Sequence, residues 1–160
     1  MPKIEIAGKT PINKYIYHSG KLSAWLSWLS ILVQFSGFDL RMVRLPIFIT
    51  NTSLALAIAG LALSLAAMVN LGRSMRFGLP TEKTEFKTGG LYCVSRNPMY
   101  VGFDILSLSG MIFTANIFVA MLGLYGMYTF HIIILAEEKF LEGRFGQKYI
   151  DYRRKVRRYI

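Results

Sequence analysis

Apolar positions in this chain come in long blocks divided by short charged stretches, and the block lengths predict membrane helices. Leu22 to Phe38 holds no charge, although Ser23, Ser27 and Ser30 punctuate it. Pro46 to Gly72 is also free of charge, with Leu54–Val69 as its Leu/Ala-rich core. A membrane-crossing helix needs about 17–25 mostly apolar residues, so residues 22–72 are predicted to hold two spans. Ala55, Ala59, Gly60, Ala62 and Ala66 would let a neighbouring helix approach the second span closely. Trp25 and Trp28 suit an interfacial depth.

Residues 99–136 are apolar except for Asp104, Asn116 and His131. As one helix rising about 1.5 Å per residue they would greatly exceed a hydrocarbon core of about 30 Å. The segment is therefore predicted to fold back as a hairpin, with arms at 99–113 and 117–136 and the turn marked by Gly110 and Asn116.

The polar blocks complete the plan. Residues 1–21, with Lys3, Lys9 and Lys14, read as a cytoplasmic arm or as a short interfacial anchor. Residues 73–98 read as a hydrophilic loop, because Gly78, Pro80, Gly89 and Gly90 oppose one continuous helix. Residues 137–160 are densely charged, yet Phe145, Tyr149, Tyr152, Val156 and Ile160 recur every three or four positions, the stripe of an amphipathic helix. That helix either lies on anionic headgroups or folds back to roof a site. The predicted fold class is a single-domain, all-α integral membrane protein with four transmembrane helices and a cytoplasmic amphipathic C-terminal helix. Of 19 Lys and Arg residues, only Arg41 and Arg44 fall on the far side if both termini and the 73–98 loop are cytoplasmic, as the positive-inside rule asks.

Composition narrows the class. In 160 residues, 53% are hydrophobic and 18% charged, too apolar for an ordinary soluble domain. The net charge of +10 suits contact with membrane lipids, whereas a nucleic-acid binder would not share this hydropathy. One cysteine, Cys93, leaves no internal disulfide and no cysteine metal cluster. His18 and His131 lack ligand spacing, so no metal site is expected. The first twenty residues lack the uninterrupted apolar core of a cleavable signal peptide.

Candidate chemistry gathers around Gly89–Gly102. Gly89 and Gly90 supply a permissive backbone, and Asn97-Pro98 marks a turn or helix start. Arg96, Tyr92, Tyr100 and free backbone amides converge at a membrane boundary. The four-span plan brings Glu137 and Glu138 to the same face. Carboxylates suit ribose hydroxyls or an amino group, and arginine suits a carboxylate. The plain alternative is that the glutamates are a solvated helix start. Asp104 is an intramembrane acid and so a functional suspect, or else a solvated or Arg96-paired one. His131 reads as a substrate contact, a base or a satisfied core histidine.

Taken in order, the motifs resemble the isoprenylcysteine carboxyl methyltransferase and phospholipid methyltransferase group of integral membrane enzymes. They are Leu71-Gly72-Arg73-Ser74, Gly90-Leu91-Tyr92, Arg96-Asn97-Pro98-Met99-Tyr100, a hairpin with Asn116 near its bend, Glu137-Glu138, and Phe145-Gly146 followed by Tyr149, Tyr152 and a basic end. The resemblance covers about residues 70–156. It implies S-adenosylmethionine as methyl donor, bound by Glu85, Phe86, Lys87, Gly90, Tyr92, Asn97, Pro98, Met99, Tyr100 and Glu138. It leaves Arg96, His131 and Glu137 as candidates for the reacting end. The acceptor implied is lipophilic or lipid-anchored: a prenylcysteine-like carboxylate or a phospholipid amine. Asn97 stands where the prenylcysteine enzymes usually carry His. The Arg that those enzymes have about one turn before the glutamate pair is missing, and His131 lies on the same helical face as Glu138. Methyl transfer from a sulfonium is an in-line displacement in which alignment supplies most of the effect. The competing readings are a nicotinamide-dependent membrane reductase of sterol-reductase type and a non-enzymatic small membrane subunit.

Overall fold

A computed structural model describes residues 10–72 and 86–160. Five α-helices make up most of that span: α1 Lys14–Phe35, α2 Ile47–Leu71, α3 Pro98–Thr114, α4 Ile117–Phe145 and α5 Gln147–Lys155. One turn of 3-10 helix, Gly90–Cys93, precedes α3. α2 packs on α3, α1 on α4, and α3 also touches α1 and α4.

The helices are built inside out relative to a soluble bundle. Small and hydroxyl-bearing residues face inward: Gly20, Ser23, Ala24 and Ser27 on α1, Ser53, Gly60, Ser64 and Ala67 on α2. The large side chains Trp25, Leu29, Phe35, Ile58, Val69, Phe118 and Leu124 are exposed. A bundle in lipid gains nothing from hiding leucine and associates through close backbone approach and interhelical hydrogen bonds. Gly60 and Gly102 show that logic. A Cβ on Gly102 would stand 2.6 Å from the Gly60 carbonyl oxygen and 2.8 Å from the Ser64 nitrogen. Ser64 Oγ donates to the Met99 carbonyl at 3.3 Å, and Ser109 Oγ to the Ser53 carbonyl at 2.6 Å. On the other seam, Ser23 Oγ donates to the Leu122 carbonyl at 2.9 Å.

α2 and α4 are long and apolar enough to cross a membrane, and α3 is a shorter apolar helix. The chain is a membrane protein, and most of its described residues are helical. Its boundaries differ from the expected ones in three places. α1 begins at Lys14, because Asn13 Oδ1 caps the Tyr15 amide at 2.9 Å, and it ends at Phe35. The hairpin turn sits at Ala115-Asn116, where Ala115 takes a left-handed φ of 42° and Asn116 caps α4. Gly110 is not in that turn; it lies inside α3, pressed against the backbone of Ser27. Residues 137–160 are not one helix either. α4 runs on through Glu137 and Glu138 to Phe145, Gly146 turns the chain at φ 53°, α5 follows, and residues 156–160 are not helical. The far end is tied separately: Asn116 Nδ2 donates to the Leu40 carbonyl at 2.6 Å.

Candidate active site

The site forms where the turn before α3, the end of α4 and the segment after α5 meet. Gly90 starts it. Its φ of 62° and the Asn70 side chain packed against its Cα leave no room for a Cβ. Asn70 Oδ1 accepts from the Leu91 amide at 3.0 Å, anchoring the turn to α2. Tyr92 is then buried, and its carbonyl accepts from the Tyr152 hydroxyl at 2.6 Å. Pro98 occupies the first turn of α3, where its missing N–H costs nothing. Met99 is buried beneath it.

Glu138 is the knot. Its Oε1 accepts from Nε and Nη2 of Arg96 at 3.1 and 2.9 Å and from Asn97 Nδ2 at 3.3 Å. Its Oε2 accepts from Nε and Nη2 of Arg158 at 3.1 and 3.0 Å. The remaining Arg96 nitrogen, Nη1, donates to the carbonyls of Arg153 and Val156 at 3.2 and 2.9 Å. The Arg96 amide donates to the Arg157 carbonyl at 2.9 Å, and Asn97 Nδ2 to the Arg158 carbonyl at 3.2 Å. Ser95 and Arg157 form a parallel bridge between the two segments. The side chains of Arg96 and Glu138 are only 7% and 8% exposed. Removing one partner of such a buried pair strands the other charge, at about 3–5 kcal/mol.

This geometry gives two candidates partners within the chain. Arg96 was expected to present its charge to the reacting end. Instead its guanidinium joins Glu138 to the α5 carbonyls, as a planar fork of donors is suited to do. Glu138 was expected to meet the donor directly, yet each of its oxygens already holds an arginine. Glu137 differs: Oε1 accepts from the Tyr100 hydroxyl at 3.0 Å, and Oε2 has no hydrogen bond from the described residues. Tyr17 and Lys21 of α1 lie beside this pair. Lys21 Nζ donates to the Tyr17 hydroxyl at 2.9 Å, and Tyr17 belongs to the core cluster that Tyr100 packs against.

An aromatic box closes the outer wall. Phe86 stacks on Phe145 with centroids 4.9 Å apart, meets Tyr152 edge-on at 5.3 Å and tilts against Tyr149 at 5.8 Å. Burial pushes the Tyr149 and Tyr152 phenols up to about 12, so both stay protonated donors at neutral pH. Burial also raises Tyr92, and the hydrogen bond to Glu138 raises Arg158. The Tyr149 hydroxyl is buried and has no hydrogen-bond partner among the described residues, so it is a donor open to a ligand. Lys87 is exposed at the rim. Glu85, Arg73 and Ser74 lie outside the described residues. His131 stands two turns below Glu138 on α4, its Nδ1 2.6 Å from the Tyr159 hydroxyl. Among the described residues no group of His, Cys, Asp and Glu could hold a metal ion.

The phospholipid methyltransferase family model matches residues 49–148, the stretch holding the turn, the hairpin and the glutamate pair. The chain belongs to the phospholipid methyltransferase family. Two curated proteins are similar along most of their length. Protein-S-isoprenylcysteine O-methyltransferase of Schizosaccharomyces pombe is 28% identical over 90% of this chain and 69% of its own. Protein-S-isoprenylcysteine O-methyltransferase B of Arabidopsis thaliana is 28% identical over 91% and 73%. Among solved structures, the eukaryotic intramembrane Ras methyltransferase ICMT superposes with a TM-score of 0.66 at 26% identity. That match covers 91% of this chain and 52% of the solved one, so the chain spans about half of that protein's length. The resemblance carried by the motifs therefore holds, and the chain is a membrane methyltransferase, an activity that requires a methyl donor.

Several site residues of this methyltransferase escaped the sequence reading. Arg158 looked like one charge in a basic run, and nothing local marks it as the second partner of Glu138. Ser95, Tyr17 and Lys21 carried no motif. Tyr149 and Tyr152 were visible as an apolar stripe, whose inward direction is decided by the break at Gly146.

Proposed function

We propose that this methyltransferase moves a methyl group from S-adenosylmethionine to the carboxylate of a prenylcysteine-like lipid acceptor. On this reading α1 to α4 cross the membrane, both termini are cytoplasmic, and the site opens at the cytoplasmic face where the basic segments collect. The observation that carries it is the polar cluster of Glu137 and Tyr100 beside the Glu138 knot, at one end of a bundle with apolar outer faces. The names of the two curated relatives favour the prenylcysteine carboxylate.

The residues present fit the donor. A molecule with an adenine ring, ribose hydroxyls, an amine and a carboxylate needs an aromatic wall, a carboxylate acceptor and phenol donors. Phe86 in its aromatic box, Glu137 Oε2 and the phenols of Tyr92 and Tyr149 provide these, while Tyr100 and Asn97 hold Glu137 and Glu138 in place around the donor. Gly90, Pro98 and Met99 shape the backbone beneath, Glu138 holds the pocket closed from behind, and Glu85 and Lys87 belong to the flanking loop. S-adenosylmethionine, when bound, supplies an electrophilic methyl group on a sulfonium. This chain's own residues bind and orient the two partners, exclude water and keep Glu137 oriented through Tyr100, so the rate gain comes from alignment.

The test is radiolabelled methyl transfer in proteoliposomes, offering an N-acetylated S-farnesylcysteine and, separately, a phosphatidylethanolamine. The expected product is a methyl ester on the first, released as methanol by base. Base-stable label on the aminolipid, which the family model's name favours, would replace the acceptor while keeping the chemistry. No transfer to either, with no binding of S-adenosylhomocysteine, would overturn the proposal.

A further inference from the structure

α3 and α4 run antiparallel, and the hydrogen bond from Asn97 to Glu138 sets their register. Seven residues along each helix, two turns on the same face, stand Asp104 and His131. They therefore oppose one another about 10 Å deeper toward the membrane than the Glu138 knot. Tyr159 closes the third side. It reaches there because Arg158 is held by Glu138 and because the 157–158 backbone is zipped against Ser95–Asn97. Its hydroxyl is 2.6 Å from His131 Nδ1, with the two rings roughly parallel. Burial, and then the Asp104 charge nearby, raise its pKa, so the phenol stays protonated.

Two polar positions in this cluster are left open. Asp104 Oδ1 is buried with no hydrogen-bond partner, and His131 Nε2 has none among the described residues. A stranded buried carboxylate oxygen is costly, and each gap would be filled by a ligand. We propose that Asp104, His131 and Tyr159 form the seat for the acceptor's polar head, with Tyr159 as a positioning residue that turns His131 Nε2 toward the acceptor. The proposal rests on the methyl-transfer reading above and specifies its acceptor. The head that fits has an N–H donor for Asp104 beside a carboxylate for His131, which is the end of an amide-linked amino acid rather than a bare fatty acid. The depth suits it, because a lipid tail lying among the spans brings its head group to this level.

The experiment compares two acceptors, N-acetyl-S-farnesylcysteine and S-farnesyl-3-mercaptopropionic acid, which lacks the N–H. It reads KM and kcat, binding of each acceptor without donor, and binding of S-adenosylhomocysteine. Tyr159→Phe and His131→Asn are expected to raise KM about tenfold for both acceptors and to weaken acceptor binding in parallel. His131→Gln, whose amide nitrogen reaches the Nε2 position, should restore most of the loss. Asp104→Ala should raise KM about tenfold for the N–H acceptor only. Product binding should be unchanged in all four variants. Unchanged KM in an active protein, or losses shared equally by S-adenosylhomocysteine binding, would overturn the seat while leaving methyl transfer intact. A wild-type protein that esterifies neither acceptor would overturn both.

Discussion

Arg96 and Glu138 are held in place by geometry as much as by charge. One guanidinium edge reaches a carboxylate oxygen while its remaining nitrogen reaches the Arg153 carbonyl in α5 and the Val156 carbonyl just after it. Lysine keeps the charge but cannot make the fork. Arg96→Lys is therefore expected to lower stability by about 2 kcal/mol and to weaken S-adenosylhomocysteine binding about tenfold, read by thermal unfolding and calorimetry in detergent. Wild-type binding in this variant would show that the charge alone suffices. At this scale the sequence marked Arg96, Asn97, Tyr100, Glu137 and Glu138 as chemistry. It could not assign their partners, since hydrogen bonds between residues about forty positions apart leave no local trace.

At the scale of elements, small residues decide which helices touch. Of the small residues expected to form a close-approach face on α2, Gly60 does meet α3, whereas Ala55, Ala59, Ala62 and Ala66 are exposed and the buried face is Ser53, Gly60, Ser64 and Ala67. The Gly60–Gly102 crossing predicts a contrast between two glycines. Gly102→Val drives a side chain into the α2 backbone and should cost about 1–3 kcal/mol or more, seen as lost folded yield in size-exclusion chromatography. A Cβ on Gly143, near the end of α4, would meet nothing, so Gly143→Ala should be neutral or gain about 0.5–1 kcal/mol from helix propensity. Equal effects at the two sites would contradict the close crossing. The hairpin turn falls between the expected arms, and the part of Gly110 as its marker fails for the same reason. Gly110 signals a turn by type, but here its missing side chain admits α1, while Asn116 caps α4.

Across the whole molecule, the segment after α5 completes a site that the helical hairpin begins. Deleting residues 156–160 removes Arg158 from Glu138 and Tyr159 from His131. The expected result is loss of S-adenosylhomocysteine binding with helical circular dichroism retained; retained binding would mean that the Arg96–Glu138 pair can stand alone. What the sequence by itself determined is the membrane class, the approximate place of the apolar helices, the family and the ordered motifs. Block length, periodicity and residue type within a few turns carry the first two, and the family rests on the resemblance of the ordered motifs. The tertiary structure alone decided that Glu138 is a shared anchor rather than an open carboxylate. It alone decided that the apolar stripe of residues 145–156 turns inward after the break at Gly146, and that Asp104, His131 and Tyr159 converge. Each of these depends on where distant backbone segments cross, and that follows from close packing of small faces and from charges that cannot stay buried unpaired.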